Sequence, residues 1–472
     1  MKICEKKVKK MIGIPINPTS TTPMYEQIYD YIKSEILNGT LKAGEKLPST
    51  RSLASYLLVS RNTIDMAYSQ LLSEGYIDAK QKRGYYINEI VELQSIPVNQ
   101  EEMITTHDND DHSCYNYDFS PFTVDTSHFP FTTWKKLTTA CLSNSDNFFT
   151  TSANQGTEAF RTAIASYLYH SRGVHASPEQ IVIGAGADYL LQLVCSLFSS
   201  ADCIAMEDPG YLQAKHIFTS RNLPTISIPV DEYGISFTSL SSSNANIAYV
   251  TPSHQYPLGS IMPINRRISL LSWAKEHDNR FIIEDDHDSE FRYIGKPIPS
   301  LQSIDRNEKV IYMGTFSKAI SPALRIAYMV LPLPLLERFR QNLSFLSPTV
   351  SNLDQNIMTS FIKDGYFERH LNRMRKHYKA KHDCMIAAFR KFHEKITIQG
   401  SNAGLHLVVS FHTPYTETEL VQLAKQNGIK LYPLSCHYET LPKDYCPTFM
   451  FGYANLSEQE ITDGIETLYA ML

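Results

Sequence analysis

A chain of 472 residues has room for about three domain-sized units, and its 43% hydrophobic and 11% aromatic content excludes a disordered chain. The net charge of -5 is unevenly spread: residues 1–90 carry 13 Lys and Arg against 9 Asp and Glu, whereas residues 91–113 carry six acids and no base. A basic N-terminal module on a mildly acidic body fits a protein that touches nucleic acid with one part only. No apolar run reaches 18 residues, so no membrane span or membrane partner is expected. The start, MKICEKKVKKMIGIPINP, is basic but has no apolar stretch of the kind a secretory signal needs. Eight cysteines are scattered without any C-x-x-C pair, which points to reduced thiols in a cytoplasmic protein and not to a zinc site or a disulfide frame.

The first predicted element is a helix over PMYEQIYDYIKSEILNG (23–39), where Tyr25, Ile28, Ile32 and Ile36 share a face and Gly39 can end it. Ser49 is placed to cap a short helix through about Leu57. After a turn at Leu58–Ser60, a second helix runs from about Arg61 to Ser73, with Ile64, Ala67, Tyr68, Leu71 and Leu72 on its buried side and Gly75 as its stop. YIDA and GYYI then form a hairpin through Lys80, Gln81, Lys82 and Arg83. Helix, helix-turn-helix and basic hairpin make a winged helix-turn-helix over residues 20–88. Arg61, Asn62 and Thr63 stand at the start of the recognition helix, where polar tips read base edges. Lys82 and Arg83 supply cations for phosphate, and Arg51 can add a contact.

Residues 89–114 are polar, acidic and aperiodic, a linker by composition. From about Tyr115 to Leu472, short apolar runs alternate with amphipathic stretches: IVIG (181–184), CIAMEDP (203–209), IAYVTP (247–252), FIIEDD (281–286) and VIYMGT (310–315). Continuous apolar runs of this length are strands covered on both faces, so the body is predicted to be α/β with a mostly parallel sheet flanked by helices.

In GTFSKAISPALRIAY (314–328), Lys318 follows an apolar run, surroundings that disfavour an ammonium. A lysine that forms a Schiff base with pyridoxal 5'-phosphate needs an acid for the pyridine nitrogen, an anion site, an aromatic face and a donor near the ring oxygen. Asp285, at the end of a strand read from Phe281–Ile283, is the candidate acid. Gly184 and Gly186 lead into a helix whose first amides, those of Ala187 and Asp188, can hold an anion, helped by Ser317 and Arg325. Tyr211 in EDPGY is the candidate stacking ring.

GEKLPSTRSLASYLLVSRNTIDMAYSQLLSEGYI resembles the signature of GntR-type winged-helix repressors. That resemblance implies that Arg51, Arg61, Thr63 and Gly84 approach double-stranded operator DNA, with Lys82 standing where a second wing glycine is usual. DFSPFTVDTSHFPFTTWKKL, EDPGY, TPSHQYPLG, EDDHDSEFRY and GTFSKAISPALRIAY resemble the fold-type I aminotransferase-like domain of the MocR/GabR-type transcriptional regulators. This implies a Schiff base at Lys318, Asp285 on the pyridine nitrogen and Tyr211 on the ring. Ala187, Asp188, Ser317 and Arg325 would hold the phosphate, and His254 and Gln255 would lie near the ring oxygen. It also implies a homodimer in which each DNA-binding module packs on the partner's large domain. Two positions depart from the pattern. His287 stands where a tyrosine is usual, and Met450 fills the slot of the arginine that grips a substrate carboxylate; Gln213 and Lys215 offer no arginine in its place. The reading is a regulator that senses either pyridoxal phosphate itself or an amino compound reacting at Lys318. The alternative is a working aminotransferase.

Overall fold

The computed structural model describes residues 13–17, 19–81, 83–89, 115–143, 151–293 and 298–472. The predicted linker lies outside these residues apart from Glu89, and so does Lys82. The chain divides into two units, Met1–Asp111 and His112–Leu472.

In the first unit, α1 (Met24–Leu37) buries Ile28, Tyr29, Ile32 and Ile36. The buried stripe therefore takes Tyr29 in place of the expected Tyr25. Helix α2 (Thr50–Leu57) starts at Ser49, whose Oγ accepts from the Ser52 amide at 3.2 Å. Helix α3 (Arg61–Ser73) starts at Ser60, whose Oγ accepts from the Thr63 amide at 3.1 Å. Each serine satisfies one of the amides that a helix start leaves unpaired. Leu58 closes α2 in the left-handed region, at φ 57°. Ile64, Ala67, Tyr68 and Leu71 of α3 are fully buried, while Leu72 is 39% exposed. This corrects the expectation for Leu72: one step past Leu71 is a rotation of about 100°, which carries it off the stripe. Strands β1 (Ile77–Lys80) and β2 (Gly84–Ile87) pair antiparallel, with Ile77 opposite Ile87 in the same core.

The second unit opens with β3 (Tyr117–Asp118) and continues through α4 (Phe131–Ser143) and α5 (Glu158–Arg172) into an eight-stranded sheet. Its strands are β4 (Ile181–Gly184), β5 (Ile204–Asp208), β6 (Thr225–Asp231), β7 (Gly234–Ile235), β8 (Ile247–Val250), β9 (Phe281–Asp286), β10 (Val310–Thr315) and β11 (Ala327–Val330). The spatial order is β4-β11-β10-β9-β8-β5-β6-β7. The pairs from β10 through β9, β8 and β5 to β6 are parallel, and both edges are antiparallel. The continuous apolar runs are explained by alternation into two cores. Tyr328 and Val330 face a cluster with Phe316 and Ile183, whereas Ala327 and Met329 face one with Ile283 and Met313. With helices on both sides of the sheet, polar side chains gather toward the strand ends.

A smaller antiparallel sheet near the C-terminus joins β12 (Ile396–Gln399), β13 (His406–Phe411), β15 (Tyr432–Pro433) and β16 (Thr448–Gly452) in the order β12-β13-β16-β15. Strand β14 (Ile429–Lys430) pairs parallel with β3, which brings the start of the unit beside this sheet. Among the described residues, no helix is long and apolar enough to cross a membrane.

Candidate cofactor site and DNA-binding surface

The parallel strands deliver their polar residues to one edge. Asp285 and Thr315 sit at the carboxyl ends of β9 and β10, and Thr251 follows β8. Helix α6 (Ala187–Cys195) begins just past β4 on the same edge. A cavity of about 220 Å³ opens there, and Lys318, Asp285, Tyr211, Ala187, Asp188, Ser317, Arg325 and His287 all line it. Eight of the ten residues singled out for the cofactor site are thus brought together from segments far apart in the chain.

Lys318 is partly buried, and its Nζ donates to the Pro121 carbonyl at 2.8 Å. Burial pushes its ammonium below the ordinary lysine range, with the Asp288 charge opposing. A lysine shifted this way holds more neutral amine near neutral pH, the form that attacks an aldehyde. Asp285 is buried at the end of a strand longer than expected, since β9 continues through Asp286. Burial pushes the Asp285 carboxyl up, while His287 and a hydrogen bond from the Tyr249 hydroxyl favour its charged form. Tyr249→Phe removes that donor from a fully enclosed carboxylate. We expect pyridoxal phosphate to bind on the order of tenfold more weakly, the value of one hydrogen bond to a charged group, read by titrating the cofactor's absorbance.

The anion side is built from α6 and Arg325. The Ala187 and Asp188 amides are the first of the helix, positions without intrahelical acceptors. Arg325 adopts φ 49° and points its guanidinium at the helix start, with Nη2 3.2 Å from Asp188 Oδ2. Gly186 has φ +92°, which disfavours a side chain, and a Cβ there would lie 2.6 Å from Arg325 Nη2, so a substitution would shift the guanidinium from this place. Thr315 donates to Ser317 Oγ at 2.9 Å, which holds that hydroxyl at the cavity wall. Tyr211 meets Tyr256 edge to face, 5.7 Å between ring centroids.

His254 and Gln255 do not line the cavity. His254 is 2% exposed and stands behind the cavity wall, its Nδ1 3.1 Å from Asp288 Oδ2. The Gln255 amide nitrogen donates to the carbonyls of Pro209 and Tyr256 at 3.0 and 2.7 Å, so it braces the loop. Met450 is buried in an apolar cluster with Tyr256, Val408 and Leu434. Lys215 pairs with Glu439 at 2.6 Å and is no substitute carboxylate clamp. Sequence reasoning missed Pro121, Phe122, Thr251, Tyr256, Asp288, Thr315 and His406, all of which line the cavity. It also missed Tyr249, behind Asp285.

In the first unit, Arg51, Arg61, Asn62, Arg83 and Gly84 are exposed, and Thr63 is half-buried. The Thr63 hydroxyl lies 2.8 Å from the Ser60 Oγ, tied to the cap of α3. Arg61 carries an exposed pairing with Asp65 at 3.4 Å. The wing has two further cations that sequence reasoning did not assign to DNA: Lys46 and Lys80 flank the Tyr86 ring, with Nζ 5.7 and 4.8 Å from its centroid.

Comparison with known proteins agrees with both units. Residues 24–87 match the family of bacterial regulatory proteins, gntR family, and residues 120–468 match aminotransferase class I and II. YdeL of Bacillus subtilis, an HTH-type transcriptional regulator, is 42% identical over 96% of this chain and 98% of its own. PdxR of Corynebacterium glutamicum, a pyridoxine biosynthesis transcriptional regulator, is 30% identical over 93% of this chain and 94% of its own. The chain belongs to the MocR-type transcriptional regulators. A solved multiple substrate aminotransferase from Thermococcus profundus overlays 75% of the regulator and 90% of itself, with TM-score 0.68 and 25% identity. The regulator's large unit is therefore a fold-type I, pyridoxal phosphate-dependent type of domain. The partly buried lysine, the enclosed carboxylate and the helix start beside Gly186 fit that cofactor.

Proposed function

We propose that this regulator holds pyridoxal 5'-phosphate at Lys318 and that occupancy of the site is itself the signal that alters operator binding. When bound, the cofactor supplies an aldehyde and an electron-withdrawing ring. The protein supplies the rest. Lys318 presents its amine, Asp285 accepts from the pyridine nitrogen, and the α6 amides with Ser317 and Arg325 take the phosphate. Tyr211 covers the ring, and His287 offers a donor at the ring oxygen in place of the usual phenol.

The observation that carries this reading is Met450. An aminotransferase must orient its substrate's carboxylate, and an arginine in that slot does so through two parallel hydrogen bonds. Here the slot is 1% exposed and apolar. Among the described cavity-lining residues Arg325 is the one arginine, and it faces Asp188. Phosphate is thus provided for and a second carboxylate is not, which favours the cofactor over an amino acid as effector and disfavours sustained turnover.

The winged helix over residues 20–88 would place α3 in the major groove through Arg61, Asn62 and Thr63, with Arg51, Lys82, Arg83 and Gly84 against the backbone. A homodimer of units 115–472, joined through the 89–114 segment to two winged helices, would read two half-sites. Gel shifts on DNA upstream of the protein's own gene test the proposal, with cofactor-loaded and stripped protein compared. At least a tenfold difference in affinity is expected. Equal binding would leave pyridoxal phosphate as a fixed reagent and move the search to reactive amines.

A further inference from the structure

Asp288 lies between two histidines at the cavity wall. Its Oδ2 is 3.1 Å from His254 Nδ1, and its Oδ1 is 3.4 Å from His287 Nε2. The three donor atoms lie within 4.8 Å of one another. Asp288 is 4% exposed on its side chain, yet Oδ1 makes no hydrogen bond, and neither does His287 Nε2. A carboxylate oxygen and an imidazole nitrogen, neither hydrogen-bonded, thus face each other 3.4 Å apart in a buried setting, where an unmet polar atom is costly.

Two imidazoles and one carboxylate, with positions left open to a cavity, are a common ligand set for divalent transition metals. Nitrogen and oxygen ligands about 2.1 Å from an ion stand roughly 3.0–3.4 Å apart at octahedral to tetrahedral angles, close to the two contacts that Asp288 makes with the imidazoles, one through each carboxylate oxygen. The alternative cluster of Asp125, His128 and His377 is less suited, because the Lys381 ammonium already sits 2.8 Å from Asp125 Oδ2. Near Asp288 the cation is Lys318, a residue that burial drives toward its neutral form. His406 packs on His254 at 5.7 Å between centroids and spends its Nε2 on the Pro257 carbonyl.

We propose that His254, His287 and Asp288 form a binding site for a divalent transition-metal ion of the zinc class, opening into the cavity that holds Lys318. His287 is the residue that creates it, since a tyrosine there would leave one imidazole and one carboxylate. Resting on the function proposed above, the ion and the cofactor compete, because His287 and Asp288 line the same cavity as Lys318.

Equilibrium dialysis of the full-length, cofactor-free protein against Zn²⁺ tests the site. One ion per chain is expected, and at least about tenfold weaker binding in His287→Tyr and in Asp288→Asn, as loss of a ligand requires. His377→Gln should bind as wild type does. Circular dichroism checks that each variant is folded, so either of the first two decides if the other is not. Absence of binding by wild type, unchanged binding in both variants, or loss confined to His377→Gln would overturn the proposal. Protein with pyridoxal phosphate fixed by borohydride should bind Zn²⁺ at least tenfold more weakly. If zinc binds at the triad while no cofactor can be fixed at Lys318, the cofactor reading fails and the metal site stands.

Discussion

Lys318→Ala is expected to abolish covalent capture of pyridoxal phosphate. Borohydride treatment of the wild-type protein with the cofactor should add one phosphopyridoxyl group, the cofactor less one water plus two hydrogens, to the peptide containing Lys318, whereas the variant should show background labelling. The expectation follows from placement. Lys318 projects into a cavity of about 220 Å³, lowered by burial and held by the Pro121 carbonyl at 2.8 Å. A replacement nucleophile would have to come from a distant surface lysine. Residual non-covalent binding through the α6 amides, Ser317 and Arg325 should remain, on the order of a hundredfold weaker, about 2.7 kcal/mol. Operator binding by the stripped variant should match that of stripped wild type, but added cofactor should no longer change it. Labelling at wild-type level in the variant would show that Lys318 is not the reactive lysine. A preserved response to cofactor without labelling would show that non-covalent occupancy is enough to signal.

Much of this site is legible in the sequence because each predicted residue sits beside a local signal. Asp285 ends an apolar run, Gly184 and Gly186 mark a strand-to-helix turn, and Lys318 lies just past another strand. The boundaries of α2 and α3 are legible for the same reason, since Ser49 and Ser60 each stand before an amphipathic stretch and act as caps. What the sequence hides is contact across long separations. Nothing near Pro121 announces that its carbonyl meets Lys318, 197 residues away. Tyr249 looks like any aromatic of a buried strand, and only the parallel pairing of β8 with β9 brings its hydroxyl to Asp285. His254 shows the opposite case. Its position in the chain points at the cofactor, whereas its ring packs behind Asp288. Leu72 fails for a local reason, because counting apolar residues near the end of α3 ignores the width of the buried stripe.

Arg61→Ala is expected to weaken operator binding by about 1–3 kcal/mol, roughly 5- to 150-fold, and to relax sequence preference within the half-site. Arg61 is the first residue of α3, with a side chain 69% exposed. Its pairing with Asp65 at 3.4 Å is exposed on both sides, an arrangement worth little in water and easily exchanged for a base edge. Arg51, in the first turn of α2, should act differently. If it meets phosphate, Arg51→Ala should weaken all sequences alike and reduce the dependence of log affinity on log salt by about one contact. Lys33 separates these effects from general charge attraction. It is held by Glu74, the C-cap of α3, at 2.9 Å and by the Tyr29 hydroxyl on α1, so Lys33→Ala removes one positive charge at the opposite end of α3 from Arg61 and away from the wing. Salt titrations of all three variants by fluorescence anisotropy, on the operator and on a scrambled duplex, should give a large specific loss for Arg61→Ala. Arg51→Ala should lose affinity uniformly, and Lys33→Ala should change little. Equal losses for Lys33→Ala and Arg61→Ala would mean that the basic unit attracts DNA by charge alone and that α3 does not read the groove.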